Sequence, residues 1–211
     1  MKRILLSFFL TIFLISAAAV FTLNFRPLYY HDISSLGIEE ISGYSERTIR
    51  ENYDALIDYN SIFHRGSLNL TLPMSEEGRI HFEDVKKIFD ILQILCLISL
   101  VVSFFWGRYA LKQKEWKFFR DASILSLLLP TIAGALIAAN WDKAFVLFHE
   151  VMFSNDYWLF DERTDPVIKI LPDGFFLHCA LCIIILILLG SLCFALIYRF
   201  RRKRSRSPRI R

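Results

Sequence analysis

Four apolar stretches without a charged residue divide this 211-residue chain: Ile4–Phe25, Ile94–Gly107, Ala122–Trp141 and Phe175–Tyr198. A helix needs about 20 apolar residues to cross the hydrocarbon core of a bilayer, and three of the stretches reach that length. The pattern therefore predicts a membrane protein, in which lipid rather than water surrounds most of the apolar side chains.

The second stretch is too short to cross a bilayer alone. It becomes long enough if its helix begins at residue 88 and carries Asp90 and Gln93 in its outer turns, where polar groups still reach headgroups or water. We therefore expect a membrane α-helical fold with four transmembrane helices, at residues 1–25, 88–107, 122–141 and 175–198.

The distribution of cations predicts how these helices are oriented. Lys2 and Arg3 precede the first helix, five Lys and Arg lie in the 108–121 connection, and residues 199–211 form a basic tail. The positive-inside rule assigns all three to the cytoplasm. Acidic residues outnumber basic ones in the 26–87 and 142–174 connections. We expect a multi-pass protein of the cell membrane with cytoplasmic termini and an extracytoplasmic cap formed by these two connections.

Two other interpretations of the chain ends are less favourable. The basic tail resembles a nucleic-acid-binding run, but the net charge of +4 averages two faces of opposite sign. We therefore interpret the tail as a topology anchor with affinity for anionic membrane lipid and expect no nucleic-acid partner. The first 25 residues have the order of a signal peptide, but their apolar run exceeds the 7 to 15 residues typical of such a core.

The predicted cap combines helical and extended patterns. Ser45 can cap a helix with one apolar face, made by Ile49, Tyr53, Leu56 and Ile57. Leu68, Leu70 and Leu72 then alternate with polar residues up to Pro73, which predicts a short strand. Ser75 can cap the helix that continues into the second membrane span. We expect a small mixed helix/strand cap.

Aromatic residues are frequent in the second outer connection and just after it: Phe145, Phe148, Phe153, Tyr157, Trp158, Phe160, Phe175 and Phe176. Aromatic side chains favour the membrane–water interface, so an ordinary aromatic belt explains them. A cavity wall for acyl chains explains them equally well.

Two histidines have neighbours that suggest chemistry. His81 and Asp84 are three residues apart at the start of a predicted helix, so the carboxylate can orient the imidazole and raise its basicity. His149 shares an apolar helix face with Phe145 and Met152. The simpler interpretations are a hydrated helix-start residue for His81 and a packing residue for His149.

Other kinds of site fit the sequence less well. His149 and Glu150 begin a metalloprotease-like motif, but Phe153 stands where its second histidine is required. A zinc site built from His81, Asp84 and His149 is geometrically conceivable. No nucleotide-binding or serine-nucleophile motif is present in the sequence, and we expect neither a metal nor a cofactor.

Four sequence blocks together resemble the bacterial lipoprotein intramolecular transacylase family: residues 72–86, 148–161, 164–166 and 171–176. The resemblance extends over essentially the whole chain and includes the four-helix plan. It implies an extracytoplasmic cap on four helices, with two functional histidines that map onto His81 and His149. Asn155, Trp158 and Asp165 also match motif positions.

The resemblance implies an acyl transfer within one diacylated lipoprotein substrate. The sn-2 acyl chain of the diacylglyceryl cysteine moves to the α-amino group of that cysteine, so an ester becomes an amide. The amine must lose a proton and the glyceryl oxygen must gain one, and imidazole suits both tasks. We expect His81, oriented by Asp84, as the base and His149 as the proton donor or oxyanion partner, although the assignment can be reversed. Asn155, Tyr157 and Trp158 are candidate donors to the carbonyl oxygen.

The competing hypothesis is a non-enzymatic membrane scaffold, sensor or accessory subunit whose cap binds a partner through the helix face at Arg47, Arg50 and Asp54. Such a protein would tolerate the loss of both histidines. A transporter is a third possibility, weakened because the centres of the predicted helices lack ionisable residues that would mark a pathway.

Overall fold

A computed structural model describes the backbone of residues 2–206 and the side chains of residues 2–203. The last five residues of the predicted basic tail, 207–211, lie outside the described residues, as does Met1. The described chain forms nine α-helices: α1 Lys2–Asn24, α2 Arg26–Ser35, α3 Ile38–Ser42, α4 Glu46–Tyr59, α5 Glu76–Lys112, α6 Lys117–Leu125, α7 Leu128–Ala139, α8 Trp141–Met152 and α9 Asp173–Arg206. A 3₁₀ helix, Pro166–Ile170, lies between α8 and α9.

Four helical segments are long and apolar enough to cross a membrane: Lys2–Asn24, Glu76–Lys112, Lys117–Ala139 and Asp173–Lys203. This confirms the predicted number of membrane-spanning helices. The second segment is much longer than a bilayer requires, because α5 is a continuous helix of 37 residues. Ser75 caps its start by accepting a hydrogen bond from the backbone N–H of Gly78 at 3.0 Å.

The third span is divided where the sequence pattern predicts one helix. Helix α6 ends at Leu125 and α7 begins at Leu128. Pro130 has no N–H to donate to the carbonyl of Ser126, four residues earlier, and its ring crowds that carbonyl. The Ser126 hydroxyl donates to the carbonyl of Ser123 at 3.2 Å, which satisfies the buried side chain at the break.

The described chain separates into two compact units. The first contains the residues up to Ala19, Gln93–Ala135 and the residues from Ile183 onward. Its helices contact one another partly through small polar side chains: Ser7 donates to the carbonyl of Phe118 at 3.1 Å, and Ser191 donates to that of Ser123 at 2.8 Å. Each hydroxyl is buried and hydrogen-bonded, because lipid around the helices offers no hydrogen-bond partner.

The second unit contains Val20–Leu92 and Leu136–Cys182. At its centre Tyr29 of α2 stacks on Tyr53 of α4 with 3.7 Å between ring centroids. The hydroxyl of Tyr29 donates to the carbonyl of Ile170 at 2.6 Å, which joins α2 to the 3₁₀ helix. Helix α4 is the amphipathic helix predicted from the sequence: Ser45 accepts from the N–H of Thr48 at 3.3 Å, and the apolar face is buried.

The predicted strand at residues 67–74 is wrong. This segment is irregular, and residues 2–206 contain no strand. The alternation is present, since Leu72 is buried and Leu68 and Leu70 pack against the same core. No neighbouring strand pairs with it, however. Instead the Oδ1 atom of Asn52 accepts the N–H groups of Thr71 and Leu72 at 2.9 and 3.1 Å.

We predict that Asn52→Ala destabilises the second unit, because two backbone N–H groups near a buried position lose their acceptor. Each unsatisfied group costs about 1–3 kcal/mol. The expected result is a lower melting temperature in detergent and faster proteolysis at Arg65, two residues before the segment that Asn52 holds. Asn69→Ala, at an exposed position of that segment, is the control and should behave like the unaltered protein. An unchanged melting temperature for Asn52→Ala would contradict the prediction.

Candidate active site

The structure brings His81 of α5 and His149 of α8 together in the second unit. Their ring centroids are 6.3 Å apart and their planes differ by 30°. The two residues come from distant parts of the chain, and neither helix carries both. Their proximity therefore depends on the packing of the unit and not on a local motif.

His81 is buried, with 6% of its surface exposed, among aromatic rings. Its ring centroid lies 4.8 Å from that of Phe153 and 5.3 Å from that of Phe160, which meets it edge-on. The Nδ1 atom of His81 has no hydrogen-bond partner among the described residues. A buried polar atom without a partner is uncommon in proteins.

His149 is half-buried and its tautomer is defined by the backbone. Its Nδ1 atom lies 2.8 Å from the carbonyl oxygen of Phe145. A carbonyl accepts hydrogen bonds and cannot donate them, so Nδ1 carries the hydrogen and Nε2 of the neutral ring has a free lone pair. The indole of Trp158 stacks on the imidazole with 4.7 Å between centroids.

Burial lowers the pKa of His149 below its ordinary value of 6.5, because the charged imidazolium loses its hydration. The hydrogen bond to the Phe145 carbonyl and the negative charge of Asp173 oppose this shift and do not cancel it. His149 is therefore neutral at pH 7, with Nε2 able to accept a proton.

Asp84 does not orient His81 through a hydrogen bond in this structure. One carboxylate oxygen of Asp84 accepts from Lys87 at 2.9 Å, and the other accepts from the side-chain amide of Asn155 at 3.2 Å. The oxygen of that amide accepts the N–H of Tyr157 at 3.2 Å. Asp84 and Asn155 thus join α5 to the loop after α8.

Asp165 lies at the start of α5 and not beside the imidazoles. It is 2% exposed and accepts the N–H of Ser75 at 2.7 Å and the hydroxyl of Thr164 at 2.7 Å. A negative charge is favourable at a helix N-terminus. The approach is so close that a Cβ atom on Gly78 would lie 2.2 Å from Asp165 Oδ1 and 3.1 Å from Phe160. Asp165 therefore fixes the helix end that carries His81.

Of the sequence-predicted site residues, His149 lies beside both His81 and Trp158. Asp84 and Asn155 are hydrogen-bonded to each other nearby. Tyr157 donates its backbone N–H to Asn155, and the residue is 38% exposed. Phe153 and Phe160 were not predicted as neighbours of His81. The density of aromatic residues was the available signal, although it does not indicate which rings contact which histidine.

The zinc arrangement considered from the sequence is not formed. Within residues 2–203, no three side chains of His, Cys, Asp or Glu are grouped so that they could hold a metal ion. Asp84 is instead engaged with Lys87 and Asn155.

Four apolar spans and a pair of buried imidazoles define a multi-pass membrane protein with a site suited to proton transfer. The family described as lipoprotein intramolecular transacylase Lit matches residues 4–176 of the sequence. The chain therefore belongs to the lipoprotein intramolecular transacylase family.

Solved structures of a relative agree with this membership. The chain is 39% identical to the membrane integral lipoprotein intramolecular transacylase Lit from Bacillus cereus, with a TM-score of 0.95 over 97% of this chain and 96% of that one. Two structures of that protein with a histidine replaced by arginine or by alanine are each 38% identical, with TM-scores of 0.87. These matches cover 97% of this chain and 92% and 94% of the others. A comparison with curated proteins gives no significant match.

We predict that Trp158→Leu raises the pKa of His149 toward 6.5, because the smaller side chain no longer covers the imidazole face and burial is the main cause of the lowered value. A histidine NMR titration in detergent micelles measures the shift directly. Trp116→Leu, in the first unit, is the control and should leave the pKa of His149 unchanged. A lower pKa of His149 in Trp158→Leu would contradict the assigned cause.

Proposed function

We propose that this chain carries out the family's intramolecular acyl transfer at the His81–His149 pair. The chain is an acyltransferase: the sn-2 ester of a diacylglyceryl-cysteine lipoprotein is converted into an amide on the α-amino group of the same cysteine. The C–O bond of the ester breaks, the new C–N bond forms, and the proton lost by the amine has to reach the glyceryl oxygen. The observation that carries the proposal is the 6.3 Å separation of the two imidazoles.

Two rings at this separation can serve one reacting centre. A general acid or base acts over about 2.6–3.2 Å between heavy atoms. If the tetrahedral carbon lies between the rings, one imidazole can reach its amine nitrogen and the other its glyceryl oxygen. One imidazole then accepts the proton of the attacking amine while the other supplies a proton to the departing oxygen. Two neighbouring buried imidazoles do not both carry a positive charge readily, which favours such a division of roles.

The tautomer of His149 favours it as the base. The Phe145 carbonyl holds the hydrogen on Nδ1, so Nε2 is ready to accept a proton from the substrate amine, whose reference pKa is about 7.7–8.0. The lowered pKa of His149 keeps that nitrogen unprotonated at neutral pH. His81, the neighbouring imidazole 6.3 Å away, is the group that can relay the proton taken up by His149 to the departing glyceryl oxygen. This reverses the assignment we favoured from the sequence.

Positioning contributes beside proton transfer. A flexible diacylglyceryl cysteine must fold so that its amine meets its own ester carbonyl, and well-oriented intramolecular reactions reach effective molarities of about 10⁵–10⁸ M. Phe145, Phe153, Trp158 and Phe160 surround the imidazoles with rings that can hold apolar chains. Tyr157 and Trp158 are the proposed donors to the carbonyl oxygen, because the amide of Asn155 is already bonded to Asp84.

The substrate supplies both the acyl donor and the acceptor, so this reaction requires no cofactor. The partners we propose are therefore a diacylated lipoprotein and the surrounding membrane lipid, and not a nucleic acid. Asp84, Asn155 and Asp165 are assigned orienting roles, since their hydrogen bonds join the helix of His81 to the loops around it.

We predict that His81→Ala and His149→Ala each reduce the N-acyl product by roughly 10²- to 10⁴-fold, the usual contribution of positioned acid–base catalysis. A reporter lipoprotein is co-expressed with each variant in cells without another N-acylating enzyme, and its N-terminal peptide is analysed by mass spectrometry. His31→Ala, at an exposed histidine of α2, is the matched control and should keep full activity. Normal product from both active-site variants would remove the catalytic assignment.

We further propose the topology indicated by the cations. Residues 26–87 and 142–174 face the outside as the cap, while the 108–121 connection and the segment from residue 199 face the cytoplasm. The excess of acidic residues in the outer connections and of basic residues in the others supports this orientation.

The topology predicts opposite labelling of two introduced cysteines. In a background with the four native cysteines replaced by serine or alanine, Phe63→Cys lies on an 81% exposed cap residue and should react with a membrane-impermeant maleimide in intact cells. Gln113→Cys, in the 108–121 connection, should react only after the cells are opened. The reverse labelling pattern would overturn the orientation.

A further inference from the structure

A contact between an imidazole and a carboxylate joins α9 to α2 and has no part in the acyl-transfer proposal. The Nδ1 atom of His178 lies 2.9 Å from each carboxylate oxygen of Asp32. Ser35 donates its hydroxyl to the same carboxylate at 3.1 Å. The Asp32 side chain is 1% exposed, whereas that of His178 is 37% exposed.

Because Asp32 is buried, loss of this contact would cost considerable folding free energy. A carboxylate removed from water is tolerated only when donors surround it, and removing one partner leaves an uncompensated polar group. Because the carboxylate can only accept, Nδ1 of His178 is the donor, and the imidazole ring is held in one orientation. The first turns of α9 are therefore locked against α2 at a defined rotation.

The same turns of α9 also contact the helix of His149. Phe175, one turn before His178, packs edge-on against Tyr29 of α2 at 4.9 Å. The next residue, Phe176, contacts the ring of Phe145 on α8 at 5.6 Å. The carbonyl of Phe145 is the group that holds Nδ1 of His149. A rotation of α9 would thus move the residue that defines the His149 tautomer.

Helix α8 is sensitive to this contact, because none of its residues is buried. A helix without buried anchors owes its position to individual ring contacts such as Phe145–Phe176. The position of α8 consequently depends on whether the first turns of α9 keep their rotation relative to α2.

We propose that Asp32 and His178 form a positioning pair for the acid–base centre, acting on His149 through Phe176 and Phe145. Neither side chain needs to touch the substrate. The inference rests on the proposed role of His149, and its consequence is that the pair affects catalytic turnover more than substrate affinity.

The kinetic test uses the full-length protein in lipid or detergent, with a diacylated lipopeptide as the substrate. Asp32→Ala and His178→Ala should each lower kcat roughly 10- to 100-fold, the range expected when a distant change misplaces a catalytic group, with KM nearly unchanged. The double variant should be no worse than the more severe single variant, because both remove one interaction. Asp32→Asn keeps an acceptor for Nδ1 and should recover part of kcat.

Tyr30→Phe is the matched control. It removes the hydrogen bonds from the Tyr30 hydroxyl to Asp54, at 2.7 and 2.9 Å, from the same helix α2. It should lower stability without lowering kcat per folded molecule. If Asp32→Ala does not accumulate, the comparison is made with Asp32→Asn and His178→Ala. A kcat per folded molecule that is unchanged in these variants, or lowered equally in Tyr30→Phe, overturns the proposal.

A second measurement does not depend on activity. Diethylpyrocarbonate modifies accessible neutral imidazoles, and peptide mass spectrometry compares the modification rates of His149 and of exposed His31. The ratio of the two rates should change in Asp32→Ala and stay constant in Tyr30→Phe. An unchanged ratio overturns the positioning role. If His149→Ala is fully active while the ratio changes, the result supports the effect of the Asp32–His178 pair on the position of His149 and contradicts the catalytic role of His149.

Discussion

The structure depends on one constraint: a polar group that leaves water has to find its partner within the protein. Buried hydroxyls in the apolar helices donate to backbone carbonyls, as Ser7 and Ser191 do. In the second unit, Asn52 accepts two backbone N–H groups and Asp165 accepts the N–H of Ser75 at the start of α5. A few buried polar atoms of the described residues have no such partner; one of them is Nδ1 of His81, which lies beside the other imidazole that the family resemblance selected.

The constraint also explains why the site is built from aromatic rings. Rings enclose the imidazoles without bringing further donors or acceptors that would have to be satisfied. Trp158, Phe145 and Phe153 cover His149, so burial rather than a neighbouring charge determines its protonation. A neutral imidazole among apolar rings suits the base that we propose for a reaction whose substrate brings its own acyl donor and acceptor.

Features that depend on local composition could be predicted from the sequence. The four spans follow from apolar length, and α4 follows from its capping serine and its single apolar face. The strand was mispredicted because alternation reports which side chains point inward and not whether a second strand is available to pair. The break at Ser126 was missed, although Pro130 in the sequence is its physical cause.

The site was predictable in part. His81 and His149 were selected by resemblance and by their neighbours, but spacing on one helix suggested an Asp84–His81 bond that the structure replaces with bonds to Lys87 and Asn155. The choice among several reachable partners depends on how distant segments pack. The contact between Asp32 and His178 had no sequence signal at all, since it joins residues from opposite ends of the chain.

The hydrogen bond from His149 to Phe145 uses a main-chain oxygen. Every amino acid supplies that oxygen, so the feature that decides which nitrogen of the base is free leaves no signature in the identity of residue 145. Substitution of Phe145 would therefore keep the acceptor of the Nδ1–H bond while it removes the ring contacts with His149 and Phe176.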